Sequence, residues 1–353
     1  MNIAIVLPDL RLGGAEKNMI NLANALQNKG HNVFLILIFG GESTIFLDIS
    51  KDIEIIRLNL PKFRYLIFRP FKFINLVSKK KIDVLLGGYG ELNPLIAIFS
   101  IFFSKVKFIA RETSIPSIHI QRKILRIFYN ITYNLFDVII VQSESMKSDL
   151  LHNFRISPSK IALIPNILDT DKIDSLSKEN IESNKLAVRD FILFVGTINE
   201  NKRLDRVVDF HFRLINEGYD FDLVIIGDGP SVEKLNKLVI QKNIQNKVHL
   251  LGAILNPYPY MKKASFLIIS SNYEGFPNVG IEAQYCGTPI ILSENTLGGA
   301  KELILEGING EIIDLELGNL DFIRKSYDSD KIATLTKDRH GLLNVSNQYQ
   351  TLF

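Results

Sequence analysis

Short apolar runs recur along the chain with helix-length stretches between them, and this alternation constrains the fold more than any other feature. The runs are unbroken, which is typical of parallel strands whose two faces are both covered. From Met19 to Leu26 the apolar residues follow helical spacing, and Gly30 closes that helix. The predicted strands lie at 3–7, 33–39, 53–58, 83–86, 106–110, 137–141 and 161–164, and then at 191–195, 223–226, 248–251, 266–269, 289–292 and 311–313.

Two series of strands in 353 residues predict two α/β domains, each a doubly wound, Rossmann-like sheet. The polar stretch 169–190 is predicted to link an N-terminal domain at 1–168 to a C-terminal domain at 191–330. The tail at 331–353 is left open between a free segment and a helix that returns to the first domain. We expect the domains to face each other across a cleft that holds a ligand at the carboxyl ends of the strands.

The composition favours a globular protein of a reducing compartment. Hydrophobic residues make up 46% of the chain, and a net charge of +3 argues against a nucleic-acid partner. The single cysteine, Cys286, excludes an internal disulfide. The N-terminus lacks a basic leader, and apolar runs such as 95–103 fall short of the ~20 residues of a spanning helix. We therefore expect a cytoplasmic protein, although the mean hydropathy of +0.13 is high for a freely soluble chain.

A glycine pair, Gly13 and Gly14, joins the first predicted strand to the first predicted helix. Glycines let a backbone approach a ligand closely, and a helix N-terminus offers free N–H groups to a phosphate. A plain tight turn explains the pair equally well. The stretch matches neither the dinucleotide fingerprint nor the P-loop, so neither of those sites is predicted here.

Two further loops follow strands of the second domain. Lys202 and Arg203 stand where a loop turns into a helix and could bind a diphosphate, although most Lys and Arg residues are simply solvated. Gly227 and Gly229 form another strand–glycine–helix connection, which would bring backbone near the cleft or serve as an ordinary connection.

Two acids, Glu274 and Glu282, flank a Gly-Phe-Pro-Asn turn after the strand at 266–269. A helix is predicted to start at the turn and to end at Gly287, with Glu282 about one turn inside it. Carboxylates accept hydrogen bonds from vicinal hydroxyls, so the pair could hold a sugar and a ribose. On spacing alone, solvated surface acids are the commoner outcome.

These motifs together resemble the family-4 retaining glycosyltransferases of the GT-B fold, from residue 1 to about 315. The acidic block with its CGTP tail is highly specific and the GGAE loop moderately so. The matching segments are "GGAE" (13–16), "IPNILD" (164–169), "KR" (202–203), "GDGP" (227–230), "EGFPNVGIEAQYCGTPII" (274–291) and "GGAKELILEGINGEII" (298–313).

The resemblance implies that Glu274 holds hydroxyls of a donor sugar, that Glu282 holds the ribose, and that Lys202 neutralises the diphosphate. It implies transfer with retention at the anomeric carbon and no cofactor or metal, the donor substrate being a nucleotide diphosphate sugar. Lys202, Arg203 and Glu274 are the predicted catalytic residues. The predicted substrate-binding residues are Gly13, Gly14, Arg111, Gly196, Gly227, Gly275, Phe276, Pro277, Asn278, Val279 and Glu282.

Two positions depart from the family's pattern. Thr197 stands where many members carry an arginine after the glycine at 196, and Arg203 is expected to substitute for it. Arg111 and Glu112 stand where many members have a histidine near the donor sugar, while His119 comes later. Three Asp-x-Asp triplets are typical of metal-using transferases of another fold, and we expect them to be structural or solvated here: 169/171, 220/222 and 328/330.

Basic and aromatic residues alternate at 62–81 and 120–136, in the domain that faces the acceptor in this family. Such segments suit contact with an anionic membrane, or they are core helices with snorkelling cations. We predict a transferase that moves a hexose-type sugar to a lipid-linked or growing glycan in surface polysaccharide synthesis, at the inner face of the cytoplasmic membrane. A nucleotide-sugar epimerase of the same fold and a non-catalytic nucleotide-sugar-binding scaffold are the alternatives.

Overall fold

The computed structural model describes residues 1–10, 13–40, 48–181 and 190–353. They form two compact units: unit 1 comprises Met1–Leu168 with His340–Phe353, and unit 2 comprises Asp169–Arg339. Residues 11 and 12 beside the predicted glycine turn, and residues 182–189 of the predicted linker, lie outside the described residues.

Unit 1 is built on a parallel sheet, and each strand lies within two residues of a predicted apolar run. Within the described ranges its strands are β1 (Asn2–Leu7), β2 (Asn32–Leu37), β3 (Glu54–Arg57), β4 (Val84–Gly87), β5 (Lys107–Arg111), β6 (Val138–Val141) and β7 (Ile161–Leu163). The order across the sheet is β3-β2-β1-β4-β5-β6-β7. Successive strands are added on one side of β1 up to β3 and on the other side from β4 onward, so the strand order reverses between β1 and β4. Ligands bind at such a switch point in open α/β sheets.

Helices cover both faces of this sheet. Alternate residues of β1 point to opposite faces, so Ile3 packs in the cluster that contains Met19 while Ala4 packs in the cluster that contains Phe73. The helices of this part of the chain are α1 (Gly14–Asn28), α2 (Tyr65–Phe68), α3 (Pro70–Lys79), α4 (Asn93–Ala97), α5 (Pro116–His119), α6 (Lys123–Tyr133) and α7 (Glu144–Asn153), with 3-10 helices at Ile98–Phe102 and Pro158–Lys160.

Unit 2 has a second parallel sheet with the same kind of reversal, and its six main strands also match predicted runs. Its strands among the described residues are β8 (Phe191–Val195), β9 (Asp222–Ile226), β10 (Val248–Gly252), β11 (Phe266–Ile269), β12 (Tyr273–Glu274), β13 (Ile290–Ser293), β14 (Leu297–Gly298) and β15 (Gly310–Ile313). The main order is β10-β9-β8-β11-β13-β15, with the reversal between β8 and β11, and β12 pairs with β14 separately. Both sheets are therefore doubly wound, as the sequence predicts.

The helices of unit 2 follow its strands in turn. They are α8 (Thr170–Leu176), α9 (Leu204–Asn216), α10 (Val232–Gln241), α11 (Tyr258–Lys263), α12 (Asn278–Tyr285) and α13 (Ser329–His340), with 3-10 helices at Glu200–Lys202, Gly299–Leu303 and Asp321–Arg324. Asp169 caps α8 by accepting a hydrogen bond from the Lys172 N–H at 3.1 Å, so a helix begins at the start of the predicted linker.

The C-terminal helix α14 (Leu342–Gln350) belongs to unit 1. The Leu168 N–H donates to the His340 carbonyl at 2.8 Å, which joins the end of the first segment to the start of the last. Val345 and Tyr349 are buried in the same cluster as α1, and the Lys29 ammonium donates to the Gln350 side chain at 3.0 Å. Burial and hydrogen bonds thus hold the last fourteen residues on unit 1.

Candidate active site

The loop after β8 presents Lys202 at the carboxyl end of the unit 2 sheet. The Asn199 side chain accepts a hydrogen bond from the Lys202 N–H at 3.2 Å and so caps a single 3-10 turn. Arg203 then adopts a left-handed backbone conformation, with φ of +49°, and α9 begins at the next residue. This turn fixes the backbone from which the Lys202 side chain projects.

Lys202 and Glu274 meet at this edge of the sheet. The Lys202 Nζ atom lies 2.6 Å from the Glu274 Oε1 atom, and the Ser271 hydroxyl donates to the same oxygen at 2.6 Å. The two side chains are 22% and 14% exposed, so the pair is partly shielded from water but still open to a ligand. The structure thus brings together two of the predicted catalytic residues, which are 72 positions apart.

Hydrogen bonds between the β8 loop and the β11 loop hold these two residues in place. The Ser270 hydroxyl donates to the Lys202 carbonyl at 2.7 Å. The Asn272 N–H donates to the Asn201 carbonyl at 2.7 Å, and the Asn201 side chain donates to the Tyr273 carbonyl at 3.2 Å. Sequence reasoning missed this support, although the Ser-Ser-Asn triplet directly after β11 is the signal that could have indicated it.

Arg203 is turned to a different partner. Its guanidinium forms a double hydrogen bond with Asp205, at 2.7 Å from NH2 to Oδ2 and 2.9 Å from Nε to Oδ1. One nitrogen also lies 3.4 Å from the Asn272 side-chain oxygen. Arg203, like its neighbour Lys202, is therefore ion-paired with a carboxylate of the same unit.

Gly196 and Gly227 allow close backbone contact where β8 and β9 end. The Gly196 N–H donates to the Ile226 carbonyl at 3.0 Å. Gly227 has φ of +147°, and a Cβ atom on it would lie 1.9 Å from the Gly196 carbonyl oxygen. The absence of a side chain at Gly227 therefore lets its backbone lie against the backbone of Gly196.

The acidic block forms the short strand β12 and the helix α12. Pro277 caps α12 with an extended backbone, and Glu282 lies in the second turn, where its side chain is buried. Phe276 is also buried, and the Arg339 guanidinium lies 5.6 Å from its ring centre.

The predicted connecting residues Gly275, Phe276 and Pro277 lead into the first helical residues Asn278 and Val279. Gly287, with φ of +87°, follows the helix as predicted.

The glycine pair of unit 1 begins the helix that follows β1. Gly13 is the N-cap of α1, and Gly14 is the first helical residue. The Gly13 carbonyl accepts from the Lys17 N–H at 3.0 Å. A Cβ atom on Gly13 would lie 2.1 Å from a carboxylate oxygen of Glu16, so that side chain folds back over the cap.

Arg111 ends β5 and lies inside unit 1. Only 2% of the residue is exposed. Its guanidinium donates to the Asn166 side chain, and its carbonyl accepts from the Asn93 side chain at 3.0 Å. Both partners belong to unit 1, so Arg111 ties the end of β5 to the chain near residue 166.

Glu112, the next residue, is a buried acid whose pKa is raised. It is 2% exposed and accepts hydrogen bonds from the Tyr129 hydroxyl at 2.6 Å and from the Tyr133 hydroxyl. Burial raises the pKa of its carboxyl to about 7, because desolvation outweighs the hydrogen bond from Tyr129. The resemblance drew attention to the position of Glu112 but not to its partners. Tyr129 and Tyr133, one helical turn apart on α6, are the pattern that could have indicated them.

The basic–aromatic segments form α2, α3 and α6, each with an apolar side exposed. Phe73 and Val77 of α3 are buried, whereas Phe71 is 75% exposed. Tyr129 and Tyr133 of α6 are buried, while the exposed apolar residues of that helix are Ile124, Leu125, Ile127, Phe128 and Ile131. Across the described part of the chain, no helix combines the length and the apolar character needed to cross a bilayer.

Residues of the three Asp-x-Asp triplets form helix caps, hydrogen bonds or ion pairs with neighbouring protein groups. Asp169 caps α8, and Asp222 lies 2.8 Å from the His249 ring nitrogen. Asp328 accepts from the Lys331 N–H at 3.0 Å. Among the residues that the structure describes, no group of three or more histidine, cysteine or acidic side chains is arranged to hold a metal ion.

Two family profiles match the chain. One, described as "Glycosyltransferase Family 4", matches residues 12–172. The other, described as "Glycosyl transferases group 1", matches residues 177–318.

Relatives and solved structures agree with these matches. A Campylobacter jejuni protein named N-acetylgalactosamine-N,N'-diacetylbacillosaminyl-diphospho-undecaprenol 4-alpha-N-acetylgalactosaminyltransferase is 29% identical over 352 residues, which cover 96% of this chain and 93% of that one. The crystal structure of Anabaena HepE with UDP superposes with a TM-score of 0.81 at 18% identity, covering 99% of both chains. The lipopolysaccharide outer core galactosyltransferase WaaB superposes with a TM-score of 0.76 at 18% identity, covering 100% of this chain and 99% of that one.

Two doubly wound units that superpose on these structures define the GT-B fold. Since the two profiles together match most of the chain, the protein belongs to glycosyltransferase family 4.

Proposed function

We propose that this glycosyltransferase moves a hexose-type sugar, with retention, from a nucleoside diphosphate donor to a lipid-linked or growing glycan in surface polysaccharide synthesis. Relatives support the pathway. The Campylobacter jejuni protein named above carries an undecaprenol-linked acceptor in its name, and an Erwinia amylovora relative, 23% identical over 312 residues, is named an amylovoran biosynthesis glycosyltransferase.

The observation that carries the proposal is the Lys202–Glu274 pair at the ends of β8 and β11, 2.6 Å apart. The Lys202 ammonium neutralises the charge that develops on the departing diphosphate, and the Glu274 carboxylate accepts hydrogen bonds from hydroxyls of the donor sugar. Glu282 accepts hydrogen bonds from the ribose. In this proposal the cationic charge comes from Lys202, so the reaction needs no metal.

The bond changes follow from retention at the anomeric carbon. The acceptor oxygen bonds to that carbon on the face from which the diphosphate oxygen leaves, and the acceptor proton passes to the departing diphosphate. No covalent enzyme intermediate is part of this reaction.

We further propose that unit 1 contacts an anionic membrane surface, at the inner face of the cytoplasmic membrane. The support is the exposed apolar residues on α3 and α6, such as Phe71 and Ile124. Cations lie beside them in the sequence, including Lys72 and Arg122. An apolar helix face flanked by cations suits binding in the interface of anionic lipids.

A radiolabelled nucleotide sugar incubated with the protein and a membrane extract tests the transfer. Label that becomes extractable with lipid supports the transferase. Label that stays water-soluble as an altered donor would favour an epimerase, and binding without turnover would favour a scaffold.

Glu282→Ala tests the proposed ribose contact. We expect calorimetry with UDP and UDP-sugars to show loss of binding, while the conservative Glu282→Gln retains the fold. Glu294→Ala, at an exposed acid of the same unit, is the matched control and should bind as the unaltered protein does. Unchanged affinity in Glu282→Ala would remove this role.

A further inference from the structure

A pocket of about 410 Å³ opens in unit 1 beyond the carboxyl ends of β4 and β5. Tyr89 and Gly90 follow β4, and Glu112 follows β5, so the pocket lies over the ends of these two neighbouring strands, to one side of the switch between β1 and β4. A volume of this size is within the range of small-ligand sites.

One side of the pocket is polar and rigidly built. The Glu112 carboxyl is fixed by the Tyr129 and Tyr133 hydroxyls, which both donate to its Oε1 atom. The rings of the two tyrosines stack with centres 3.7 Å apart. The Oε2 atom lies 3.0 Å from the place where a Cβ atom on Gly90 would be, so the glycine leaves this side of the carboxyl uncrowded.

The opposite side is apolar. Leu125 and Phe128 of α6 line it, although both are exposed, together with Pro116 and Ile120. A ligand that fits this pocket therefore presents a hydrogen-bonding group to Glu112 and a small apolar group to α6.

The charge of the pocket disfavours an anionic ligand at pH values above about 7. Glu91, exposed at the rim, and Glu112 both line it, and above the pKa of Glu112 two carboxylates repel a phosphate. The donor diphosphate and a lipid diphosphate are therefore disfavoured as occupants, whereas a neutral group that donates a hydrogen bond is accepted.

We propose that this pocket holds a 2-acetamido sugar ring of the acceptor, with the amide N–H donating to Glu112 and the acetyl methyl packed against Leu125 and Phe128. This inference rests on the proposed glycosyl transfer and adds the acceptor's chemical class. Glu112 then acts as a residue that selects the acceptor, because a ring with a plain hydroxyl offers no methyl to the apolar wall.

Saturation-transfer NMR with two simple probes tests the pocket without requiring turnover. The probes are methyl 2-acetamido-2-deoxy-α-D-galactopyranoside and methyl α-D-galactopyranoside, each added to the full chain at pH 8. We expect strong saturation of the acetamido methyl and about fourfold weaker binding of the plain galactoside, because its 2-hydroxyl can still donate to Glu112 but it lacks the methyl group that the apolar wall buries. Equal binding of both probes would overturn the assignment.

Glu112→Gln places an NH₂ donor where the ligand's N–H must donate. We expect it to weaken binding of the acetamido probe, and to raise KM for an acetamido-terminated polyprenyl diphosphate acceptor, about tenfold or more at unchanged donor affinity. Glu144→Gln, which makes the same charge change at an exposed residue of unit 1 that does not line the pocket, should alter both values less than about twofold. An unchanged acceptor KM in Glu112→Gln would overturn the proposal.

A second pair of variants tests the apolar wall. Leu125 and Ile124 are neighbours on α6 and both are exposed, but only Leu125 is among the residues that line the pocket. Leu125→Ser should weaken the acetamido probe severalfold and Ile124→Ser should not; equal effects would contradict the assignment. If the unaltered protein transferred no sugar but bound the probe selectively, the transfer proposal would fail while the pocket assignment stood.

Discussion

Replacing Glu112 by Gln should change how the stability of the protein depends on pH. Burial raises the pKa of this carboxyl from its ordinary value of 4.5 to about 7. Between these values the folded protein keeps a proton that the unfolded chain has lost, so stability is fully present below pH 4.5 and is lost as pH rises through 7. The interval corresponds to about 3 kcal/mol of unfolding free energy, because one pKa unit is worth about 1.4 kcal/mol.

Urea unfolding at pH 5 and pH 8.5, followed by a signal from unit 1, measures this contribution. The difference between the unaltered protein and Glu112→Gln isolates it from other titrating groups, including the neighbouring charges Asp149 and Arg111, which raise and lower the Glu112 pKa. We expect the unaltered protein to lose about 2.5 kcal/mol more than the variant over this range, because a small part of the contribution is already lost at pH 5. Glu91→Gln, at an exposed residue, should follow the unaltered protein within about 0.5 kcal/mol. Parallel losses in Glu112→Gln and the unaltered protein would refute the reasoning.

Two other predictions concern the backbone and the membrane. Gly227→Ala should destabilise unit 2 by about 3 kcal/mol or more, because the new Cβ atom would meet the Gly196 carbonyl oxygen. Gly218→Ala, whose Cβ atom meets nothing within 4 Å, should cost only about 1 kcal/mol from its φ of +87°, and equal losses in a urea titration would contradict the account. Reversing three cations of the α2–α3 region should release the protein from anionic vesicles, and unaltered co-sedimentation would count against membrane contact; the three are Arg64, Arg69 and Lys72.

Strand positions could be predicted from the sequence because burial on both faces leaves unbroken apolar runs. The run at 191–195 coincides with β8, and the run at 266–269 coincides with β11. The ends of strands were less certain, since a run such as 33–39 continues beyond the hydrogen-bonded strand that ends at Leu37. Pairing partners leave no such trace, and the strand order of each sheet came only from the structure.

The positions of candidate residues could be predicted, but their contacts could not. Lys202 and Glu274 were each identified from local motifs, yet nothing in the sequence indicates that they lie 2.6 Å apart. Arg203 was expected to take the place of the arginine that Thr197 replaces, and the sequence did not indicate that its guanidinium is hydrogen-bonded to Asp205, two residues away. Such partners depend on side-chain directions that the spacing of residues does not determine.

The most direct test of the account compares a nucleotide sugar that the protein accepts with its nucleoside diphosphate, using calorimetry on two variants. Lys202→Met should weaken both ligands about tenfold or more, because in the proposed site the ammonium contacts the phosphates that they share. Glu274→Gln should not weaken the nucleoside diphosphate, since it removes the carboxylate paired with Lys202, but it should remove the extra affinity contributed by the sugar. Full affinity for the nucleoside diphosphate in Lys202→Met, or an undiminished contribution of the sugar in Glu274→Gln, would contradict the proposed donor site.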